Sequence, residues 1–323
     1  MKRILAIAVG MNPERDSRQI WQNIIGSGEN VPVRPYVTGL IEGLTTAGMV
    51  PGKDFQIDYA TCEPKGFAPF VKSAIGDINP DAVFAMSTTA AKAAMAASKT
   101  VPIVFPSISD PVEDGLVKSC ASPGKNATGV QAMRRQTSDE CLELFKATVP
   151  SLRTIFGMHK PDYGPSIRAY KSVRAAAKRA GVTFKPLVVR SQQDIVDAMT
   201  KLSPKSGNKG PEHGVLVMAD DLALSAWPKI AAIGAERQIP NFFPVTDWVK
   251  SAAPSVLAGF GIPQLRCGRA AAPYMQKVLN GVRPQDLPVK RAGGFEWAIN
   301  NSLAKQMGIA IPASVLGAAD RVI

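Results

Sequence analysis

Short apolar runs alternate with amphipathic stretches along most of the chain, which predicts strands alternating with helices. The clearest example lies between residues 81 and 117. Ala82–Met86 and Val101–Phe105 are apolar runs too short for helices, and the Ala-rich segment Ala90–Ser98 between them favours a helix. Such a unit is right-handed and places the loops after both strands at the carboxyl edge of one parallel sheet. Ligands of open α/β sheets usually bind along that edge, so functional groups are expected there.

The same alternation precedes this unit. Met1–Gly10 is interpreted as the first strand rather than as part of a signal peptide. Helix spacing predicts Tyr36–Ala47 and Phe67–Ile78 as helices, and Phe55–Tyr59 alternates as a strand. The polar segment Gly10–Pro35 is predicted as a long connection, of a length that is either disordered or functional. The order of elements predicts a doubly wound parallel sheet.

A second half with the same rhythm follows the break at Ser122–Asn126. The elements predicted there are helix Ser138–Thr148, strand Thr154–Met158, helix Ser166–Ala180, strand Thr183–Val189, helix Gln193–Lys201, strand Val215–Met218, helix Ser225–Gln238 and strand Phe242–Val245. The glycine-containing strand Val256–Gly261 is predicted to return the chain to the first lobe, and helix Gln264–Asn280 follows it. We therefore predict an α/β protein of two Rossmann-like lobes with parallel sheets, 1–125 plus about 259–289 and 126–258 plus about 290–323.

Composition adds few constraints. The chain carries 38 Lys and Arg against 26 Asp and Glu, a formal charge of +12, but these residues are dispersed and no nucleic-acid-binding motif accompanies them. Nucleic acid is therefore not an expected partner. No apolar run is long enough to span a membrane. Four distant cysteines without a C-x-x-C pair make a metal site unexpected, and leave free thiols or one disulfide open.

Hydroxyl groups mark the carboxyl edge of the first lobe. Ser87, Thr88 and Thr89 lie where the helix after Ala82–Met86 should begin, and exposed N–H groups at a helix N-terminus suit a carboxylate or another anion. Capping alone explains the same residue types. A second cluster, in the loop predicted after Val101–Phe105, consists of Ser107, Ser109 and Asp110.

Carboxylates and aromatic rings mark the edge of the second lobe. Asp220, Asp221 and Asp247 follow predicted strands and could bind an ammonium group, although Asp also favours caps and turns. Tyr163 and Trp248 could cover an apolar or ring-bearing ligand, whereas Trp227 is expected in the core. Ser166 opens the helix after Tyr163 and completes the candidate binding residues.

Catalysis finds little support in the chain. His213 lies in a Gly- and Lys-rich loop, His159 has no evident Cys or Ser partner, and no P-loop, nucleophile elbow or dinucleotide fingerprint is present. We expect no enzyme activity, no cofactor and no metal.

Motifs in both halves of the chain resemble one family. They are Val104-Phe105, Asp110-Pro111-Val112, Gly115-Leu116-Val117, Pro123-Gly124, Asn126-Ala127-Thr128-Gly129-Val130, Gly268-Arg269, Leu279-Asn280-Gly281, Leu287-Pro288-Val289, Ile299-Asn300, Met307-Gly308-Ile309 and Ala319-Asp320-Arg321-Val322-Ile323. In this order they resemble substrate-binding proteins of bacterial ABC importers, in the group that includes tryptophan- and tyrosine-binding members. The chain departs from the group in Pro13–Pro35, which is longer than usual, and in Met86–Thr89, where a Gly-Thr-Pro sequence is common.

The resemblance implies a periplasmic-binding-protein type I-like fold in which a small molecule binds between two lobes. Strands that cross between the lobes, expected near Asn126–Val130, Val256–Gly261 and Lys290–Phe295, would form the hinge. It also implies an ABC permease with its ATPase as partners, contact with the membrane only through the permease, a monomer, and a periplasmic or other extracytoplasmic location after loss of a signal peptide. The expected ligand is an aromatic or large apolar amino acid. The alternative is an effector-sensing domain of a regulator or receptor with the same fold.

Overall fold

The structure is a computed structural model that describes residues 1–10, 18–25, 33–63, 66–132, 134–203, 206–207 and 210–323. It divides into two compact units. The first unit comprises Met1–Met133 and Gln264–Gly293, and the second comprises Arg134–Pro263 and Gly294–Ile323.

The elements alternate much as the apolar pattern predicts. The strands are β1 (Lys2–Val9), β2 (Arg18–Trp21), β3 (Phe55–Cys62), β4 (Ala82–Ala85), β5 (Ile103–Ile108), β6 (Ala127–Gln131), β7 (Thr154–His159), β8 (Thr183–Val188), β9 (Ser206–Gly207), β10 (Gly210–Pro211), β11 (His213–Val217), β12 (Asn241–Phe243), β13 (Ala258–Gly261), β14 (Lys290–Arg291), β15 (Glu296–Ile299) and β16 (Arg321–Val322). The helices are α1 (Pro35–Thr46), α2 (Phe67–Ile78), α3 (Thr88–Ala97), α4 (Arg134–Thr148), α5 (Gly164–Arg179), α6 (Gln192–Lys201), α7 (Asp221–Ser225), α8 (Trp227–Glu236), α9 (Gln264–Leu279), α10 (Asn301–Gln306) and α11 (Ala313–Ala318).

The sheet of the first unit has the order β14-β6-β5-β4-β1-β3-β2 and is parallel except for β2, which pairs antiparallel with β3. The chain runs from β1 to β3 on one side and then crosses to β4 on the other side. The carboxyl ends of β1 and β4 therefore flank the switch point, where ligands of such sheets bind. Strand β2 lies within Gly10–Pro35, which is thus not a continuous loop; residues 11–17 and 26–32 of that segment lie outside the described residues.

The second unit repeats this design. Its sheet has the order β16-β15-β13-β12-β11-β7-β8, and only the β13–β15 pair is antiparallel. The chain runs from β7 outward to β8 and then back across to β11, so the switch point lies between β7 and β11. Two doubly wound α/β units confirm the predicted fold class.

Helices α1 and α9 of the first unit pack backbone to backbone. A Cβ atom on Gly39 would lie 2.0 Å from the carbonyl oxygen of Leu265, and one on Gly268 would lie 2.1 Å from that of Tyr36. No side chain fits at these distances, so glycine is what permits the helix pair. The contact joins α9, which follows most of the second unit in the sequence, to α1 near the start of the chain.

The unit boundaries differ from those in the sequence interpretation because distant strand pairs decide them. β6 pairs with β5 and β14 pairs with β6, so residues 126–133 and 290–293 belong to the first unit. Residues 259–263 belong to the second unit, because β13 pairs with β12 and β15 there. Val256–Gly261 thus does not return the chain to the first unit, which resumes at Gln264.

The predicted helix Ser225–Gln238 corresponds to α8, and a separate short helix, α7, occupies the residues just before it. α7 ends at Ser225, and α8 begins at Trp227 with Pro228 in its first turn. Proline lacks the N–H donor that a continuing helix needs, and it is tolerated in a first turn, so a break forms here. In the described part of the chain, no helix has the length and apolar character needed to cross a membrane.

Candidate functional site

The N-terminus of α3 lies at the switch point of the first unit. Ser87 caps the helix, since its Oγ accepts a hydrogen bond from the Ala90 N–H at 3.1 Å. Thr88 Oγ1 donates to the buried Asp114 Oδ2 at 3.2 Å, and Thr89 is half-buried. The hydroxyls of Ser87 and Thr88 therefore have structural roles. The first N–H groups of the helix are still donors without helical acceptors, which an anion can satisfy.

Two hydroxyls near the end of β5 are buried without a hydrogen-bond partner among the described residues. They are the Oγ atoms of Ser107 and Ser109. Ser107 lies within β5 rather than in the loop that the sequence predicts, because the strand continues to Ile108. Buried hydroxyls are normally paired, so these two are groups that a ligand could satisfy. Asp110 instead shapes its loop, because Oδ1 accepts from the Glu113 N–H at 2.9 Å.

Arg34 is a cation at the same edge that sequence reasoning missed. It occupies the N-cap position of α1, and its Nη2 donates to the carbonyl oxygen of Val9 at the end of β1, at 2.6 Å. Burial raises the pKa of the Tyr59 hydroxyl, although the nearby Arg34 acts to lower it. The available signal was Arg34-Pro35, a proline positioned to start a helix at the end of the predicted connection Gly10–Pro35.

Asp220 is the most buried carboxylate at the edge of the second unit. It is 1% exposed and caps α7, since Oδ1 accepts from the Ala223 N–H at 2.7 Å. Oδ2 accepts from Ser166 Oγ at 3.1 Å, and Ser166 Oγ also accepts from the Lys160 N–H at 3.2 Å. Burial raises the pKa of Asp220 to about 6, against the hydrogen bonds, which lower it. The arrangement fixes the loops after β7 and β11 to each other.

Three further candidates keep part of their surface exposed. Tyr163 follows β7, Asp221 follows β11, and Asp247 follows β12. These three strands are neighbours in the sheet, in the order β12-β11-β7, and run parallel. The aromatic ring and the two carboxylates are therefore presented along one edge of this unit.

Trp248 lies in the core and not in a lid position. It is 9% exposed, stacks on Trp227 with ring centroids 5.2 Å apart, and meets Phe243 edge to face at 5.6 Å. The expectation that it covers a ligand is therefore wrong in this structure. The sequence does not distinguish a lid residue from a core residue here, because either role is compatible with an aromatic residue directly after Asp247.

The histidines and cysteines form no reactive constellation in the part of the chain that is described. His159 stacks on Tyr170 at 4.1 Å, and its Nδ1 lies 3.0 Å from the carbonyl oxygen of Gly157. His213 packs against Phe156 at 5.6 Å. None of the four cysteines, all of which the structure describes, forms a disulfide, and no group of three His, Cys, Asp or Glu among the described residues could hold a metal ion.

A groove of about 520 Å³ in the second unit lies away from the carboxyl edge. It is bounded by α8, the 251–255 loop and α10. Asn300, in its wall, donates its backbone N–H to the carbonyl oxygen of Leu257, which precedes β13, so the groove lies at the opposite end of the parallel strands. None of its lining residues carries a charge, so the groove offers no opposite charge to a charged ligand group.

The chain is similar to several known proteins. The family described as ABC transporter substrate binding protein has a model that matches residues 31–323. A tyrosine-binding protein of Clostridioides difficile (strain R20291) is 27% identical over 270 residues, which are 83% of this chain and 75% of that protein. A crystal structure of an ABC domain from Streptococcus pneumonia in complex with L-Trp covers 100% of this chain and 99% of its own, with a TM-score of 0.77 and 24% identity. A conserved domain protein from Vibrio cholerae has a TM-score of 0.80 over the same shares, at 24% identity.

Proposed function

The chain belongs to the family of ABC transporter substrate-binding proteins, and from that premise we propose that its ligand is an amino acid with an aromatic or large apolar side chain. The observation that carries the proposal is the row of Tyr163, Asp221 and Asp247 on three adjacent parallel strands of the second unit. A carboxylate pairs with an ammonium group and an aromatic ring packs on an apolar side chain, so this row complements the two features of such a ligand.

The edge of the first unit carries groups that suit a carboxylate. They are the N-terminal N–H groups of α3 and the hydroxyls of Ser107 and Ser109, which have no hydrogen-bond partner among the described residues. Each donates to an anion, and the partial positive charge of the helix N-terminus adds to their effect. Arg34 contributes a full positive charge at the end of β1. Asp110 shapes its loop and is left out of the set that contacts the ligand.

Asp221 and Asp247 are better candidates for the ammonium group than Asp220. Both are partly exposed, whereas Asp220 is 1% exposed and its oxygens accept hydrogen bonds from Ala223 and Ser166. Asp220 and Ser166 therefore hold the site together and do not contact the ligand. Tyr163 lies before α5, where its ring can pack against the ligand's side chain.

Relatives support the same ligand class. The relative from Clostridioides difficile is named a tyrosine-binding protein, and the structure from Streptococcus pneumonia was solved in complex with L-Trp. The chain's family supplies ligand to an ABC transporter, so we propose an ABC permease with its ATPase as partners. We further propose an extracytoplasmic monomer without enzyme activity or cofactor. Closure of the lobes around the ligand stays a prediction. Membership of this family favours the importer over the regulator as the protein's context.

Calorimetry on ligand-free protein tests the proposal. The protein is unfolded and refolded to remove any bound ligand, and is then titrated with L-tryptophan, L-tyrosine, L-phenylalanine and L-leucine. Indole-3-propionate lacks the ammonium group and tryptamine lacks the carboxylate, so both should bind at least about thirtyfold more weakly than L-tryptophan if each charge has a buried partner. If none of the four amino acids produces heat of binding, the proposal is wrong.

A further inference from the structure

Arg321 clamps the turn that carries Asp247. Its Nη2 donates to the carbonyl oxygen of Thr246 at 2.8 Å, and its Nη1 donates to that of Val249 at 2.7 Å. The Val249 N–H donates in turn to the Thr246 carbonyl oxygen at 3.1 Å, which closes a four-residue turn with Asp247 and Trp248 at its centre. One guanidinium thus joins both ends of this turn.

The guanidinium is itself held in place. Arg321 Nε donates to Glu296 Oε1 at 3.0 Å, and the strands that carry the two residues, β16 and β15, pair in parallel. The carbonyl oxygen of Ile323 accepts the N–H groups of Asn301 and Ser302 at 2.7 and 3.1 Å, which ties β16 to the start of α10. The planar guanidinium has donors in fixed directions, which suits its three contacts with Thr246, Val249 and Glu296. A lysine ammonium does not reproduce these directions.

The turn is also fixed from the core side. Trp248 stacks on Trp227, and its carbonyl oxygen accepts the Val256 N–H at 3.1 Å. The residue after Asp247 is therefore anchored by its ring, and both ends of the turn are anchored by Arg321. Asp247 itself keeps part of its surface exposed. A loop ordered before binding loses less conformational freedom when the ligand arrives, which raises affinity.

We propose that Arg321 is a positioning residue that holds Asp247 ready for the ligand's ammonium group. This proposal rests on the proposed function, in which Asp247 is one of the two carboxylates assigned to that group. Arg321 acts on the backbone of the turn. Its loss should therefore change how Asp247 is presented and leave the neutral parts of the ligand's site intact.

The first test needs no ligand. Hydrogen exchange of the 244–256 segment is compared between the wild type and Arg321→Gln, with Arg153→Gln as the matched control. Arg153 belongs to the same unit and makes a surface ion pair with Glu212 at 3.3 Å, away from the turn. We expect the Val249 amide to exchange at least about tenfold faster in Arg321→Gln and at the wild-type rate in Arg153→Gln. Unchanged exchange in Arg321→Gln overturns the clamp.

The second test is a double-mutant cycle read by calorimetry with L-tryptophan and indole-3-propionate. Arg321→Gln should weaken L-tryptophan about tenfold in the wild-type background, and should have no effect in Asp247→Asn, because the effect passes through that carboxylate. Indole-3-propionate has no ammonium group, so Arg321→Gln should leave its affinity unchanged in both the wild-type and the Asp247→Asn background. Equal weakening of both ligands, or weakening that persists in Asp247→Asn, overturns the positioning role.

The two tests separate this proposal from the proposed function. If the turn exchanges faster in Arg321→Gln but the wild type binds no amino acid, the clamp is supported and the proposed amino-acid ligand is wrong. If L-tryptophan binds but the cycle shows no coupling between Arg321 and Asp247, the proposed ligand is supported and the positioning role is wrong. If Arg321→Gln does not fold, Arg321→Lys replaces it in both tests. Lysine retains the charge but cannot bond both carbonyl oxygens and Glu296, so the same changes are expected at smaller size.

Discussion

Ser166 Oγ donates a hydrogen bond to Asp220 Oδ2 across 3.1 Å and so joins the first turn of α5 to the cap of α7. The first unit contains a similar pair, in which Thr88 Oγ1 donates to Asp114 Oδ2 at 3.2 Å. All four residues are buried. At the carboxyl edge of each sheet, a hydroxyl near a helix N-terminus thus holds a carboxylate from a separate loop, which fixes the edge where ligand is expected.

The burial of Asp220 predicts how stability depends on pH. Its pKa of about 6 in the folded state exceeds the value of 3.8 for an unperturbed Asp, so the folded protein binds this proton more tightly. The stabilising effect is present below pH 4 and is lost as pH rises from 4 to 6, by roughly 3 kcal/mol. Urea denaturation at several pH values measures the free energy of unfolding of the wild type minus that of Asp220→Asn. We expect this difference to fall by about that amount as pH rises from 4 to 6. Parallel pH profiles for the two proteins would contradict it.

The Thr88–Asp114 hydrogen bond predicts a specific cost at the edge of the first unit. Thr88→Val keeps the shape of the side chain but removes the donor to a buried carboxylate, so we expect a loss of about 1–3 kcal/mol. Thr88→Ser retains the hydroxyl and should retain most of the stability. Thr89→Val is the matched control, since Thr89 lies in the same helical turn and is only half-buried. Denaturant unfolding compares the three variants. An equal loss in Thr88→Val and Thr89→Val would show that the hydrogen bond contributes nothing.

Glycine in the α1–α9 contact is predicted to be irreplaceable. A Cβ on Gly39 would meet the Leu265 carbonyl oxygen at 2.0 Å, so Gly39→Ala must push the helices apart. We expect a loss of about 3 kcal/mol or more, because the obstructing atom is backbone and cannot rotate away. Gly76→Ala is the control, since Gly76 lies in α2 with nothing within 4 Å of its Cβ position, and there alanine should stabilise by up to about 1 kcal/mol. Thermal unfolding followed by circular dichroism measures both, and a Gly39→Ala protein as stable as the wild type contradicts the expected clash.

Asp247 and Asp221 are predicted to differ from other acidic residues in their effect on binding. If one of them pairs with the ligand's ammonium group, its replacement by Asn should weaken L-tryptophan at least about thirtyfold. Asp197→Asn removes the same charge from an exposed position on α6 in the same unit and should leave the affinity within about twofold of the wild type. Calorimetry at fixed pH and ionic strength measures each variant. Equal affinities in all three would assign the ammonium group to another partner.

The apolar pattern was sufficient for most of the individual elements. Helix α2 has the bounds that its periodicity predicts, Phe67–Ile78, and α1 differs from its prediction by one residue at each end. Ser87 caps α3 as its residue type indicates. These features depend on a few neighbouring residues, because side-chain period and capping act within one or two helical turns. The order of strands and helices then determines a doubly wound α/β fold, and the motifs along the chain were sufficient to identify its family.

Contacts between distant parts of the chain decided the rest. β6 belongs to the first unit because it pairs with β5, and Trp248 is buried because Trp227 offers a ring to stack on. The two residues that the sequence did not reveal, Arg34 and Arg321, act on backbone carbonyl oxygens 25 to 75 positions away. A carbonyl oxygen is present at every residue and has no sequence signature, so such a partner emerges only when the folded backbone brings it within hydrogen-bonding distance.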